Sequence, residues 1–144
     1  MIRRSARAIL ITKDKKIVLI KRTKPEKEIY YVTPGGGIED GETPLQAVKR
    51  ELKEETGSDI LSAEFLFHFD DYEMQNSVDF FLCYEGKRGA PTGTEWTIYH
   101  SKTNQYEIVE VGFDALKKLN LKPEKLKEQL EDIFKKRGYS EKAI

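Results

Sequence analysis

The sequence contains little that could cross-link the chain or hold it in a membrane. Its single cysteine, Cys83, excludes an internal disulfide and a metal site built from cysteines alone. No stretch approaches the roughly 20 apolar residues of a transmembrane helix, and Arg7 interrupts the apolar run near the N-terminus, so we expect no signal peptide. These features predict a cytoplasmic protein in a reducing compartment, with no membrane partner.

Net charge is also absent, because 25 Lys and Arg residues balance 25 Asp and Glu residues. Without an excess of positive charge, an extended nucleic-acid footprint is not expected. The 144 residues, 38% hydrophobic and 35% charged, have the size and composition of one globular domain. We predict a single domain over residues 1–138, followed by a flexible tail over 139–144. The protein is expected to be a monomer or a homodimer.

Strand and helix patterns alternate irregularly along the chain. Two apolar runs joined by a short polar turn predict an N-terminal hairpin, and four further β-rich runs follow. The predicted strands are Ala6–Thr12, Lys16–Arg22, Ile29–Pro34, Ala63–Asp70, Ser77–Gly86 and Tyr106–Phe113. Gly35–Gly37 are expected to end the third strand, and a turn is expected at Gly37–Glu42. A helical turn is predicted at Asp114–Leu119 and an amphipathic helix at Pro123–Gly138. The mixture predicts an α+β fold with a mixed sheet flanked by helices.

The central helix is predicted over Pro44–Thr56 by signals at both ends. Thr43 is a suitable N-cap, Pro44 fits the first helical position, and Gln46 completes a capping box with Thr43. Gly57 supplies a left-handed stop after the last turn.

Each predicted helix has an apolar face that should pack on the sheet. In the central helix this face is formed by Leu45, Val48 and Leu52. In the C-terminal helix it is formed by four residues, Leu126, Leu130, Ile133 and Phe134.

Three glutamates crowd one flank of the central helix. Glu51, Glu54 and Glu55 project together, whereas Lys49 and Lys53 project elsewhere. Each like-charge pair four residues apart costs about 0.2–0.5 kcal/mol. One interpretation is a solvated charged face, although such faces usually intersperse Glu and Lys. The other is a site for a hard cation such as Mg²⁺, which prefers carboxylate oxygens and would relieve the repulsion.

The residues before this helix fit a cation site as well. Gly35–Gly37 let the backbone approach a ligand and expose a carbonyl, although a plain turn after Pro34 would use glycine too. Glu42, just before the N-cap, is placed either to favour the helix dipole or to reach the metal.

These residues together match a known pattern. Gly36, Glu42 and the segment Arg50–Gly57, separated by five and seven residues, resemble the Nudix box, G-x5-E-x7-R-E-U-x-E-E-x-G-U, where U is a bulky aliphatic residue. Leu52 fills the first U position, and Ser58 stands at the second. On this resemblance the box spans Gly36–Ser58 and the chain is similar to the Nudix hydrolase family.

The resemblance implies an α/β/α sandwich and Mg²⁺-dependent hydrolysis, with Mn²⁺ as a substitute. The substrate would be a small nucleotide, a nucleoside diphosphate linked to another group, with water attacking phosphorus. By position, Glu54 and Glu55 correspond to the principal metal ligands, and the carbonyl of Gly35 to a further one. Glu51 would ligate the metal or activate water, and Arg50 would orient the carboxylates. The supporting box residues are Gly36, Glu42 and Gly57.

A further acid and the nucleotide-binding residues are less determined. Glu95 resembles a late-loop metal ligand of nucleotide-pool-cleansing triphosphatases, but an ordinary loop acid would look the same, and Glu107 and Glu110 are rivals. The candidates for base stacking are Tyr31, Phe67, Trp96 and Tyr106, although aromatic residues also serve the core. Two other functions stay open: a non-catalytic nucleotide-sensing module and an RNA 5′-end pyrophosphohydrolase. All four box glutamates are present, which favours an enzyme.

Overall fold

The computed structural model describes residues 2–73, 75–91 and 105–138. Within these ranges the chain forms seven strands, two α-helices and one 3₁₀ helix. In chain order they are β1 (Arg3–Ile11), β2 (Ile17–Thr23), β3 (Tyr30–Val32), β4 (Gly35–Gly37), α1 (Pro44–Thr56), β5 (Ser58–Asp71), β6 (Asn76–Arg88), β7 (Gln105–Val111), the 3₁₀ helix (Phe113–Lys118) and α2 (Glu124–Arg137). No described helix is long and apolar enough to span a membrane.

The strands build one mixed sheet, as predicted. Its main order is β3-β2-β1-β6-β5, with β4 paired to β1 and β7 paired to β2. The central pair, β1 and β6, is parallel over its whole length, and the other pairs are antiparallel. The predicted N-terminal hairpin is confirmed by the antiparallel pairing of β1 with β2.

One edge of β1 is divided between two partners. Near its end, Leu10 and Ile11 pair with β2, whereas Ser5 to Arg7 pair with β4. The strand β2 likewise leaves β1 after Val18 and pairs with β3 from Ile20 onward. Because β1 and β2 diverge, a cleft opens between β2 and β4 at the N-terminal half of β1.

Both faces of the sheet are buried. Alternate residues of β1 point to opposite faces, as a strand requires: Ile9 and Ile11 join the core beneath α2, and Ala8 and Leu10 join the core beneath α1. In α2 the predicted apolar face is confirmed, with Leu126, Leu130 and Phe134 buried and Ile133 packed against the same core. The sheet therefore lies between two helical layers.

The limits of α1 are as predicted. The Thr43 hydroxyl accepts from the backbone N–H of Gln46 at 3.1 Å, and the Gln46 side chain accepts from the N–H of Thr43 at 2.9 Å, which completes the capping box. Gly57 ends the helix with φ +73°. Only a residue without a Cβ adopts this left-handed conformation at little cost.

The predicted apolar face of α1 is wrong at one residue. Val48 and Leu52 are buried, but Leu45 is 38% exposed, and Ala47 and Glu51 are buried instead. The helix is turned toward its glutamate flank because Gly36 on β4 has no side chain. A Cβ there would lie 2.6–2.7 Å from the carboxyl group of Glu51, so only glycine lets Glu51 lie against the strand.

The other differences concern strand limits. Gly35–Gly37 was expected to end the preceding strand but forms β4, which is fixed by pairing with β1 and not by any strand propensity of glycine. The strand β5 begins at Ser58, five residues before the prediction, and β6 extends to Arg88. Polar residues at these ends give no alternating pattern, but their partners in the neighbouring strand hold them extended.

Candidate active site

Arg50 on α1 is the centre of a hydrogen-bonded acidic cluster. Its Nε and Nη2 donate to the two oxygens of Glu42 at 2.8 and 3.0 Å, a bidentate contact. Its Nη1 donates to Glu51 at 2.9 Å and to Glu54 at 3.2 Å. Nη2 also donates to the carbonyl of Gly37 at 2.9 Å. One guanidinium thus joins three box glutamates and the backbone of β4.

The cluster shifts the ionisation of its members. The hydrogen bond from Arg50, followed by the backbone N–H of Glu39, lowers the pKa of Glu42 to about 2. The pKa of Arg50 is raised, chiefly by Glu42 and further by Glu51, although burial opposes this. Glu42 therefore stays ionised at neutral pH and holds Arg50 in place.

A cavity of about 350 Å³ lies in the cleft between β2 and β4. Glu51 and Glu55 form part of its wall, next to the backbone of Gly35 and Gly36. The other lining residues are Arg3, Arg7, Ile20, Arg22, Val32 and Tyr106. Carboxylates and guanidinium groups therefore face the same space, an arrangement that suits a metal ion together with an anionic ligand.

The acidic wall fits a divalent cation. Glu51 and Glu55 bring carboxylate oxygens to the cavity, and Gly35 brings backbone to the same wall. Glu54 lies one step away, and among the described residues only its Oε2 is engaged, by Arg50. In the described ranges no three His, Cys, Asp or Glu side chains form a closed metal cage. Mg²⁺ does not require one, since it commonly takes one or two carboxylates and completes its shell with water and substrate phosphates.

Three other predicted acids are placed differently. Glu95 lies outside the described residues, so its assignment as a metal ligand stays a prediction. Glu107 and Glu110 lie on β7, where both are exposed. Glu110 is 3.5 Å from Nη1 of Arg88, and neither residue lines the cavity.

The four aromatic residues predicted for base stacking also lie in different parts of the chain and the fold. Tyr106 lines the cavity, and the guanidinium of Arg22 lies over its ring, 3.6 Å from the centroid. Phe67 stacks on Phe80 with ring centroids 5.1 Å apart, and Tyr31 packs against the same core beneath α2. Trp96 lies outside the described residues.

Two arginines of the cavity, Arg3 and Arg7, were not predicted as site residues from the sequence, where Arg7 was noted only as an interruption of an apolar run. Both lie on β1 and line the cavity. Their spacing carried a signal, because residues four apart on a strand share a face, and Ser5 between them is buried. Polar residues at alternate positions of an otherwise apolar strand indicate a face that is not simply core.

A second polar cluster closes the C-terminal end of α1. Ser58, the departure from the box pattern, is buried and donates to Glu85 at 2.6 Å. Arg88 binds both oxygens of Glu85, at 2.8 and 3.0 Å. The backbone N–H of Gly89 donates to the carbonyl of Gly57 at 2.7 Å. The end of the box helix is therefore fastened to β6 by polar contacts and not by an aliphatic side chain.

A family model for the NUDIX domain matches residues 1–136, which is nearly the whole chain. The chain belongs to the NUDIX family. The sandwich of sheet and helices is therefore the fold of a NUDIX domain.

Known relatives of this NUDIX chain differ in what they act on. An ADP-ribose pyrophosphatase of Methanocaldococcus jannaschii is 52% identical over 48 residues, 33% of this chain and 28% of that protein. An 8-oxo-dGTP diphosphatase of Haemophilus influenzae is 43% identical over 63 residues, 43% of this chain and 46% of that protein. The matches span less than half the length of these two relatives. A NUDIX hydrolase structure from Nitrosomonas europaea superposes with a TM-score of 0.70 at 17% identity, covering 100% of this chain and 96% of that one, and shows the fold.

Proposed function

We propose that this NUDIX chain is an enzyme that hydrolyses a phosphoric anhydride bond in a nucleoside diphosphate linked to another group, with a divalent cation. The observation that carries the proposal is the cavity, which Glu51 and Glu55 of the box line together with three arginines. A solvated charged face would leave the glutamates in water. Here Glu51 is only 8% exposed and lies against Gly36.

The residues that would hold the cation are Glu51, Glu55 and the carbonyl of Gly35 at the cavity wall, with Glu54 beside them. Glu95 is a further candidate from the sequence. Mg²⁺ or Mn²⁺ bound there would polarise the phosphate and make a bound water more acidic.

The chain's own groups would orient the reactants and take up the proton. Arg50 holds one oxygen of Glu51 and one of Glu54 through Nη1. It is itself held by the bidentate contact with Glu42. Glu51 and Glu54 are thus presented in fixed orientations, and each is a candidate to accept the proton of the attacking water as it approaches phosphorus. Because these orientations exist before substrate binds, the reaction needs no free energy to reorient the carboxylates.

The substrate is expected to be a small nucleotide, since the cavity of about 350 Å³ suits one ligand of modest size. The two relatives suggest ADP-ribose and oxidised deoxynucleoside triphosphates as first candidates. A cytoplasmic location, suggested by the single cysteine, fits such a substrate.

The test is a substrate panel with Mg²⁺, Mn²⁺ or chelator. ADP-ribose, dATP, dGTP, 8-oxo-dGTP, a dinucleoside tetraphosphate, a nucleotide sugar and 5′-triphosphorylated RNA should be incubated with the protein. Products should be separated by chromatography. We expect metal-dependent cleavage of at least one small nucleotide, and reaction in ¹⁸O-water should place the label on a phosphate product.

Three results would contradict the proposal. Metal-dependent binding without turnover of any compound would indicate a sensing module. Turnover of the RNA alone would indicate an RNA-end hydrolase. Cleavage that survives replacement of both Glu51 and Glu55 by Gln would show that the cavity is not the site.

A further inference from the structure

We propose that Arg7 binds the non-bridging oxygens of the substrate's diphosphate group, next to the cation held by the box glutamates. This inference rests on the proposed function and assigns to one residue outside the box a direct contact with the reacting group.

The position of Arg7 follows from the pairing of β1. Arg7 pairs with Gly35, at the point where β1 passes from β4 to β2. A Cβ on Gly35, whose φ is +145°, would meet the carbonyl of Ala6 and lie 2.5 Å from Cα of Arg7. The glycine therefore lets β4 pass close to Arg7. The same glycine lines the cavity wall that carries Glu51 and Glu55.

The guanidinium of Arg7 is fixed at one end only. Its Nη1 donates to the carbonyl of Thr33 at 2.6 Å. Among the described residues this is its one side-chain hydrogen bond, although a guanidinium has five N–H donors. The remaining donors belong to a side chain that lines the cavity. A phosphate offers several charged oxygens, to which arginine binds in a planar, bidentate manner.

The surrounding charges favour an anion at this place. Glu51, Glu55 and Arg3 line the same cavity as Arg7. The two carboxylates that offset the charge of Arg7 are the two that a cation at the acidic wall would use. Once they are shared with a cation, less negative charge is left to offset Arg7 and Arg3, which line the same cavity. A phosphate bound between the cation and Arg7 restores the balance.

Two other arginines in the first strands, Arg4 and Arg22, are placed differently. Arg22 lies over the ring of Tyr106, which occupies its planar face. Arg4 is exposed and lies outside the cavity. Because Arg4 shares β1 and its charge with Arg7, it is a matched control.

The experiment measures binding of α,β-methylene-ADP, a diphosphate with a non-hydrolysable bridge, by calorimetry with Mg²⁺. Arg7→Gln should weaken binding about 10- to 100-fold, the range of lost hydrogen bonds between charged groups. Arg7→Lys keeps the charge but not the fork, so its loss should be smaller. Arg4→Gln should bind within about twofold of the wild type. Melting curves should confirm that each variant is folded at the temperature used. If Arg7→Gln does not fold, the binding of Arg7→Lys is compared with that of the wild type instead.

The assignment is overturned if folded Arg7→Gln and Arg7→Lys both bind the analogue as Arg4→Gln does, whatever their melting temperatures, since Arg7 would then be structural. It is also overturned if the wild type does not bind the analogue. Failure of the proposed function is a separate result. A wild type that binds the analogue through Arg7 but cleaves nothing refutes the enzyme and keeps the anion site.

Discussion

Two clusters of arginine and glutamate contact helix α1, one along its glutamate flank and one at its C-terminal end, and they differ in charge balance. Arg50 faces three box glutamates, with Glu39 as a longer contact at 3.7 Å. Arg88 is engaged by both oxygens of one buried glutamate, Glu85, while Glu110 stands 3.5 Å away and is largely exposed. The first cluster has more negative charge than its arginine can neutralise, and the second is close to balanced.

The difference separates function from structure. A bidentate pair around one buried carboxylate fastens two elements together, as Glu85 and Arg88 do between β6 and the end of α1. A cluster with surplus carboxylates is destabilising on its own and becomes useful when a cation binds. Burial and arginine contacts are common to both clusters, so the surplus of negative charge beside a cavity is the informative feature.

The largest effect should come from the surplus carboxylates. Glu54→Gln and Glu55→Gln should each lower kcat by about 100-fold or more, because a lost metal ligand or base costs several kcal/mol of transition-state stabilisation. Both variants should keep the wild-type circular dichroism spectrum. The matched control is Glu131→Gln on α2, a glutamate far along the chain that lines no part of the cavity. Turnover close to wild type in either box variant at saturating Mg²⁺ would remove that residue from the site.

Arg50→Lys should impair both activity and stability. Lysine cannot reproduce the fork that binds Glu42 on two nitrogens and Glu51 and Glu54 on a third, so the carboxylates are left repelling one another. We expect unfolding free energy to fall by about 1–3 kcal/mol in urea titrations, together with a large loss of kcat. The control is Lys49→Arg, which replaces a lysine by an arginine on the exposed side of α1. An Arg50→Lys enzyme with unchanged kcat would show that orientation by Arg50 is dispensable.

In the balanced cluster, substitution should affect stability alone. Glu85→Gln leaves Arg88 with only the more distant carboxylate of Glu110 and should cost about 1–3 kcal/mol of unfolding free energy. Below the melting transition, kcat should equal that of the wild type. If Glu85→Gln lowered kcat of the folded enzyme as much as Glu54→Gln does, the distinction between the two clusters would fail.

Acid should weaken the Arg50 cluster through Glu42. The pKa of Glu42 falls from 4.5 to about 2 on folding. A carboxyl with a depressed pKa stabilises the fold above its unfolded pKa and loses that contribution as pH falls through its folded pKa. The stability difference between wild type and Glu42→Gln should therefore be constant above about pH 5 and shrink between about pH 4.5 and 2. Urea midpoints across this range test it, with Glu39→Gln as the control. A difference independent of pH would contradict the shift.

The smallest effect should be that of Glu55→Gln in chelator. Removing the Glu51–Glu55 repulsion gains about 0.2–0.5 kcal/mol, while the lost attraction to Arg7 offsets it. Without metal the variant should therefore melt close to the wild type. Millimolar Mg²⁺ should raise the melting temperature of the wild type more than that of the variant, because a ligand of the folded state stabilises in proportion to its affinity. Equal shifts would indicate that Glu55 does not contact the cation.

The limits of α1, the buried face of α2 and the mixed sheet could all be predicted from the sequence. In each case the signal is local: Thr43, Gln46 and Gly57 act within one helical turn of the position they determine. The crowding of Glu51, Glu54 and Glu55 on one flank is likewise local, because helical geometry alone brings them together.

What depended on the tertiary structure involved contacts between distant parts of the chain. That Glu51 lies against Gly36, that Leu45 stays exposed, and that Gly35–Gly37 form a strand all follow from where β4 pairs with β1. The cavity arises because β1 and β2 diverge, which brings Arg7 to the glutamates of α1. Local propensity and periodicity extend over a few residues, whereas strand pairing joins residues some 30 to 70 positions apart, so the sequence determined the chemistry of the box and only the fold decided which other charges face it.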